Sequence, residues 1–210
     1  MWLYALCHAY HRRAPLGGRL RETTMPWTID PTHTVVGFSA KHLGIATVRG
    51  SFTQFRGEIE LDDFDPTTAS GRIEVDTISV DTGNEQRDAH LRSADFFDAD
   101  NYPVMVFVPK SITPKAGAEY EVVGDLTIRG VTREVTLTYE HSGTVLDPWG
   151  GTRVGGSITG TVNRTDWGLK WNLPLGSGGL AVSEKVKIEV EGELVQSQEE
   201  AAAEAAIEAA

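Results

Sequence analysis

The residues best able to hold a metal or move a proton in the patterned part of this chain are four histidines, His33, His42, His90 and His141. None stands at a spacing that sets two ligands on one face of an element, such as H-x₃-H or H-E-x-x-H, so a metal centre here requires convergence in the fold. Asp62-Asp63-Phe64-Asp65 begins like a calcium loop, but the sixth position counted from Asp63 is Thr68, where the sharp turn requires glycine. There is no G-x-S-x-G elbow and no glycine-rich phosphate or dinucleotide loop. The single cysteine, Cys7, lies near the N-terminus, which excludes an internal disulfide, a cysteine-rich zinc site and a two-cysteine redox motif. Asn163-Arg164-Thr165 fits the glycosylation acceptor pattern but falls at a strand end and reads as chance. No catalytic residue, metal ligand or cofactor is assigned. What remains is polar and unspecialised: Arg87, Asp88 and His90 close together, Arg164, Asp166 and Trp167 close together, and His42.

The 210 residues carry 19 Lys+Arg against 30 Asp+Glu, a net charge of −11, which argues against binding through a nucleic-acid phosphate backbone. Hydrophobic residues make up 40 % and charged residues 23 %, ordinary globular usage, and the apolar runs are far below the ~18 residues of a membrane span. The ends differ from the middle. Residues 1–24 place the apolar stretch Trp2 to Cys7 ahead of the basic cluster His11, Arg12, Arg13, the reverse of a secretory signal. They are expected to be a disordered N-terminal extension, with Met25 as an alternative natural start. Residues 197–210, SQEEAAAEAAIEAA, form an Ala/Glu-rich tail too short for a stable isolated helix. One domain over residues 25–196 is expected between them.

Within that domain the dominant period is two. Val186, Ile188 and Val190 alternate with Lys185, Lys187, Glu189 and Glu191, one apolar and one charged face of a strand. Val135, Leu137 and Tyr139 repeat the pattern, as do Tyr120, Val122, Leu126 and Ile128, and Val154, Ile158 and Val162 with Gly156 and Gly160 between them, where small residues leave room. Further strands are predicted over 35–43, 47–55, 57–61, 71–80 and 102–110, eight or nine in all, punctuated by turn signals such as Arg129-Gly130 and Asp147-Pro148-Trp149-Gly150-Gly151. Many strands with one polar face each predict an antiparallel barrel or a sandwich. The exception is residues 84–99, where Arg87, Leu91 and Ala94 recur at helical spacing; one or two short helical inserts are expected, with Asp88 and Arg92 as an i,i+4 surface pair.

Several separate blocks resemble the YceI-like proteins, bacterial lipid-binding proteins with a lipocalin-like barrel. They are Ile29-Asp30 with His33, followed by Val36-Gly37-Phe38; Lys41-His42; Gly50 with Phe52; Arg87-Asp88-Ala89-His90-Leu91; Asp95-Phe96-Phe97; and Tyr102-Pro103 with Phe107. Then follow Gly124 to Thr132, Asn163-Arg164-Thr165-Asp166-Trp167-Gly168-Leu169, and Val182-Ser183-Glu184. They run in the family's order over nearly all of residues 25–196. The resemblance implies an all-β fold, an antiparallel lipocalin-like β-barrel of about eight strands, whose lumen holds a long apolar chain such as a polyisoprenoid, an isoprenoid quinone or a fatty-acid derivative. It implies a carrier, storage or sequestering protein rather than an enzyme, with no nucleic-acid partner and no membrane span. Many relatives carry a secretion signal; without one the expected location is cytoplasmic, the periplasm being the alternative. The two tails have no counterpart in the family pattern.

In such a barrel the expected ligand contacts are Phe38, His42, Phe52, Arg87, Asp88, His90, Phe107, Tyr120, Tyr139, Ile158, Arg164, Trp167 and Trp171, with Ile73, Val75, Val104 and Leu137 as further wall positions. His42 shares the alternating face of Val36, Phe38 and Ala40. Arginine suits a phosphate or carboxylate head, and histidine can orient a quinone. Each reading has a structural alternative. The apolar residues can pack on one another, the pairs Arg87–Asp88 and Arg164–Asp166 can fix loops to the barrel, and Trp167 and Trp171 can seal its end rather than line a portal. Two further functions stay open: an enzyme or redox accessory using a bound quinone or a convergent histidine–carboxylate metal site, and a self-filled barrel acting through its surface. A homodimer formed through a strand or a tail is also left open.

Overall fold

A computed structural model describes residues 26–176 and 178–196; the expectations for residues 1–24 and 197–210, and Cys7, lie outside the described residues. Eleven strands follow in order: β1 Trp27–Ile29, β2 Val35–His42, β3 Ala46–Phe52, β4 Phe55–Glu60, β5 Ser70–Asp76, β6 Val80–Asp81, β7 Val104–Pro114, β8 Glu119–Ile128, β9 Val131–Leu146, β10 Thr152–Asn163 and β11 Val182–Gln196. All pairings between them are antiparallel. The order β1-β4-β5-β7-β8-β9-β10-β11 closes on itself where Thr28 meets Val195, an eight-strand barrel that leaves no free edge in the ring. The β2-β3-β6 strands continue the sheet from the first part of β11, with Val36 opposite Val190 and Phe38 opposite Ile188.

The alternating segments become strands because their apolar faces all turn inward. Val122, Val135 and Leu137 are buried, as are Phe52, Val75 and Met105 from the strands across the barrel. Arg129 and Gly130, at φ 50° and 71°, make the two-residue turn that returns β8 onto β9 with Ile128 opposite Val131, the left-handed geometry a tight hairpin requires. Elsewhere the alternation misplaced boundaries. The 47–55 segment divides into β3 and β4 at Thr53-Gln54, and 71–80 breaks at a 3₁₀ turn, Thr77–Ser79, fixed by the Thr77 hydroxyl donating to the Tyr102 carbonyl at 2.9 Å. β1 has only three residues, too few to show a period, yet its Trp27 is among the most buried side chains.

The helical segment is α1, Glu85–Arg92, capped by the Asn84 side chain, which accepts from the Arg87 N–H at 2.9 Å. Of the residues at helical spacing, Arg87 and Ala94 are exposed and Leu91 is half-buried, while the buried residue of the helix is Asp88. Asp88 accepts from the Thr82 N–H at 2.9 Å and its hydroxyl at 2.5 Å, and Arg87 donates to the same threonine, so both clamp α1 to the chain after β6. Nor does Asp88 pair with Arg92, whose guanidinium donates to the Ile78 and Val80 carbonyls.

Closure of the barrel is reinforced by ions. Arg153 on β10 donates to Asp30 and Glu193 at 2.7 Å each and to Asp147 at 2.9 Å. Asp30 is held well below the usual carboxylate range by the Thr32 hydroxyl first, then by Arg153 and His33. A carboxyl lowered in the folded state stabilises the fold above the unfolded value near 4, and that contribution is lost as pH falls toward the folded value. The urea midpoint is therefore expected to drop as pH is lowered from about 5 to about 3. Asp30→Asn should flatten that slope, measured by equilibrium unfolding; an unchanged slope would assign the acid sensitivity to other carboxylates.

Candidate functional site

The strands surround an apolar lumen made of two adjoining chambers, of about 250 and about 170 Å³. Ile29, Thr34, Ile73, Phe107, Ile158 and Val190 line both and form the waist between them. From Val154 at the far end of the smaller chamber to Val162 in the larger, the wall runs along nine residues of β10, eight steps of the strand. That is about 26 Å of strand, or about 20 Å along the axis at the usual barrel tilt.

Gly156 and Gly160 were expected to open space directly. They do so indirectly: a Cβ on either would run into Tyr139 or Leu137, whose side chains lie across these glycines from β9. Held against the sheet in this way, the large side chains form wall rather than plug.

Of the expected contacts, Phe38, Phe52, Phe107, Tyr139, Ile158, Arg164 and Trp167 line the lumen. Among the further wall positions Ile73, Val75 and Leu137 do so, whereas Val104 does not. Val104 and Phe107 differ by an odd number of residues and cannot share a strand face; Met105 takes the inward place. The lumen also uses Leu91, Phe96 and Phe97, which sequence reasoning did not select because they fall outside any alternating run.

The other expected contacts stand off the lumen wall. His42 is exposed at the end of β2. Arg87 and Asp88 serve Thr82, as described. His90 meets Trp171 edge-on, ring centroids 4.5 Å apart, and holds Asp95 at 3.0 Å. Trp171 in turn packs on Phe96 at 5.4 Å, so His90 and Trp171 form a layer behind Phe96, which itself lines the larger chamber. Tyr120 stacks on Tyr139 at 5.9 Å. Trp167, by contrast on the lumen wall and 2 % exposed, is pinned by its indole N–H donating to the Leu126 carbonyl at 3.0 Å.

Charge inside the lumen is sparse and placed at its ends. In the larger chamber, among the described residues, the charged side chain of the lining is Arg164, 6 % exposed. It does not pair with Asp166. Its guanidinium donates to the carbonyls of Ser183 (3.0 Å), Leu169 and Val182 (3.5 Å), and lies 5.8 Å from the centre of the Phe96 ring. Burial lowers its pKa and the neighbouring Glu184 opposes that shift; a guanidinium nonetheless stays charged. At the other end Tyr139 is pushed up to about 12 by burial, so it remains a neutral hydroxyl, 3.0 Å from His141 Nδ1. Glu193 lines the smaller chamber with Thr34 and is held by Arg153.

The four histidines go to four different places. His33 does meet carboxylates: with Asp30 and Glu193 it offers ligand atoms within 4.8 Å of one another. A guanidinium nitrogen of Arg153 already bonds both carboxylates there, so the cluster has its cation within the chain. The arrangement as a whole encloses and orients an apolar chain with a polar end; its polar side chains are separated along the lumen rather than gathered about a reacting atom.

Residues 27–194 match the model of the YceI-like domain. A UPF0312 protein of Staphylococcus aureus strain MSSA476 is 39 % identical over 173 residues, covering 82 % of this chain and 98 % of that one. Among solved structures, a YceI protein of Campylobacter jejuni aligns with TM-score 0.63 and 27 % identity over 75 % of this chain and 90 % of that chain. A polyisoprenoid binding domain from Saccharophagus degradans shares the fold at TM-score 0.60 and 15 % identity, covering 81 % and 98 %.

Proposed function

The chain belongs to the YceI-like family, and from that membership we propose that its barrel binds a long-chain apolar ligand, a polyisoprenoid, isoprenoid quinone or fatty-acid derivative, as a carrier, storage or sequestering protein. The observation that carries this reading is the lumen itself: two adjoining chambers walled by apolar side chains, with one buried arginine at the end of the larger. A chain that buries roughly 300 Å² of apolar surface there gains about 7 kcal/mol before the cost of ordering it. The tail lies through the waist toward Val154, and the polar head lies toward Arg164, whose three carbonyl bonds leave two of five guanidinium N–H groups for it. A carboxylate, phosphate or quinone oxygen fits that donor pair. Binding of this kind calls for no reacting group in the protein. The likeness to a polyisoprenoid binding domain supports the choice of ligand class.

Native mass spectrometry of protein purified without detergent, followed by lipid extraction, tests the reading. One stoichiometric long-chain species is expected. A ligand-free mass, unchanged by incubation with isoprenoid quinones and fatty acids, would replace it with a barrel acting through its surface.

A further inference from the structure

Exposed aliphatic side chains collect at the Arg164 end of the barrel. Leu43 and Ile45, at the β2–β3 tip, are 40 % and 84 % exposed, and Leu173 and Leu180, in the segment leading into β11, are 55 % and 40 % exposed. Backbone bonds hold them together: the Leu43 N–H donates to the Ala181 carbonyl at 2.8 Å, and the Ala181 N–H donates to the Leu173 carbonyl at 2.9 Å. Asn172 fixes the same segment by bonding both the N–H and the carbonyl of Val182. Leu43 adopts φ 53°, a left-handed conformation unfavourable to leucine, at a tip where it buries little.

The charge around this rim runs against that of the whole chain. Residues 41–47 and 168–185 contain three lysines, Lys41, Lys170 and Lys185, and one carboxylate, Glu184; with Arg164, Asp166 and Asp95 of the same barrel end added, cations still outnumber carboxylates four to three, in a protein of net charge −11. All three lysines are exposed. The lysines that hold carboxylates among the described residues are others: Lys110, Lys115 and Lys187. The opposite end also exposes apolar groups, Val145, Leu146, Trp149 and Phe64, but sets them in a barrel end that carries Asp62, Asp63 and Asp65. An anionic surface would be repelled there.

We propose that the rim formed by the β2–β3 tip and residues 170–176 and 178–181 docks onto an anionic lipid bilayer, its leucines and isoleucine entering the interface and its lysines meeting the headgroups. The proposal rests on the lipid-binding reading for its purpose. The rim adjoins the larger chamber through Ala40, Leu169 and Val182, which line it, so a docked protein holds the Arg164 end of the lumen against the membrane that supplies or receives the ligand. The docking surface is nevertheless separate from the lumen, and the two are separable by experiment.

The full chain is to be floated with vesicles of phosphatidylcholine alone and with phosphatidylcholine containing phosphatidylglycerol. Uptake of a fluorescent fatty acid is measured in parallel without vesicles. Binding to the anionic vesicles is expected to exceed binding to the neutral ones by about tenfold and to weaken with salt. The double variant Ile45→Asp/Leu173→Asp should lose about tenfold in vesicle binding and retain fatty-acid uptake. Because all the substituted positions are exposed, folding is preserved, and thermal unfolding checks this. Vesicle binding that persists without any fatty-acid uptake would sink the lumen reading and leave the docking surface standing. Absence of vesicle binding would overturn the proposal, as would equal loss on Trp149→Ala. So would a dimer that the double variant converts to monomer without any change at the vesicles, since that makes the rim a contact between copies.

Discussion

Ile158→Trp is expected to remove long-chain binding while leaving the barrel folded. Ile158 sits at the waist, opposite Tyr139 on β9 and Val190 on β11, and both chambers reach it. An indole there grows into empty space rather than into packed neighbours, because the large side chains nearby already lie against Gly156 and Gly160. The chambers are thereby cut apart. A chain that threads both loses the smaller one, and with it about 150 Å² of apolar contact, which at roughly 25 cal/mol per Å² amounts to about 4 kcal/mol or close to a thousandfold in affinity. A short fatty acid held in the larger chamber alone should lose far less, so the ratio of long-chain to short-chain affinity is the informative quantity. Titration of wild type and variant with both ligands measures it. Ile78→Trp, at the exposed position of a 3₁₀ turn and away from the lumen lining, serves as the control. Unchanged long-chain affinity in Ile158→Trp would mean that the chain is not held in the lumen.

The apolar faces of the long strands were legible before the fold was, and the reason is physical. Ile158, Tyr139 and Val190 each belong to long alternating runs, and a two-residue period fixes which face of a strand is apolar without reference to any partner. Phe96 and Phe97 were not legible in that way. They follow α1 in a turn and line the larger chamber, and what buries them is packing against Phe52 and Trp171, contacts set by tertiary structure alone. His42 failed for a related reason: its parity along β2 matches Phe38, but the strand ends there and exposes it. Parity gives a direction and says nothing of depth. The charged residues were hardest of all. Arg87, Asp88 and Arg164 were read as ligand contacts, with pairing of Arg87 to Asp88 and of Arg164 to Asp166 as the alternative because those residues are close in the chain. In the fold the arginines go to backbone carbonyls or a threonine, since those are the groups that strand and turn geometry leaves short of donors. Composition cannot reveal which carbonyls those will be.

Arg164 is where this matters most for stability. Arg164→Met keeps an unbranched side chain of similar reach and removes the donors from the carbonyls of Leu169, Val182 and Ser183. These join the 3₁₀ turn after β10 to the start of β11, so the arginine ties the segment that carries Leu173 and Leu180 to the barrel. Bonds from a charged donor contribute about 1.5–3 kcal/mol each, and buried acceptors left unpaired cost about 1–3 kcal/mol, but water entering from the barrel end can satisfy some of them. A net loss of about 3 kcal/mol is the expected result, seen as a fall of about 6–12 °C in Tm for a domain of this size. Arg164→Lys should recover part of it, since one ammonium can serve one or two of the three carbonyls but lacks the planar fork. The same pair of variants separates the structural role from the ligand role. If the guanidinium also holds the ligand's head, Arg164→Met loses affinity for a fatty-acid carboxylate more than for a neutral isoprenoid alcohol, and Arg164→Lys restores the preference even where it does not restore Tm. Equal loss for both ligands would place the arginine in the scaffold alone. A Tm unchanged by Arg164→Met would show that the three carbonyls are served by water, and that the buried charge is kept for the ligand.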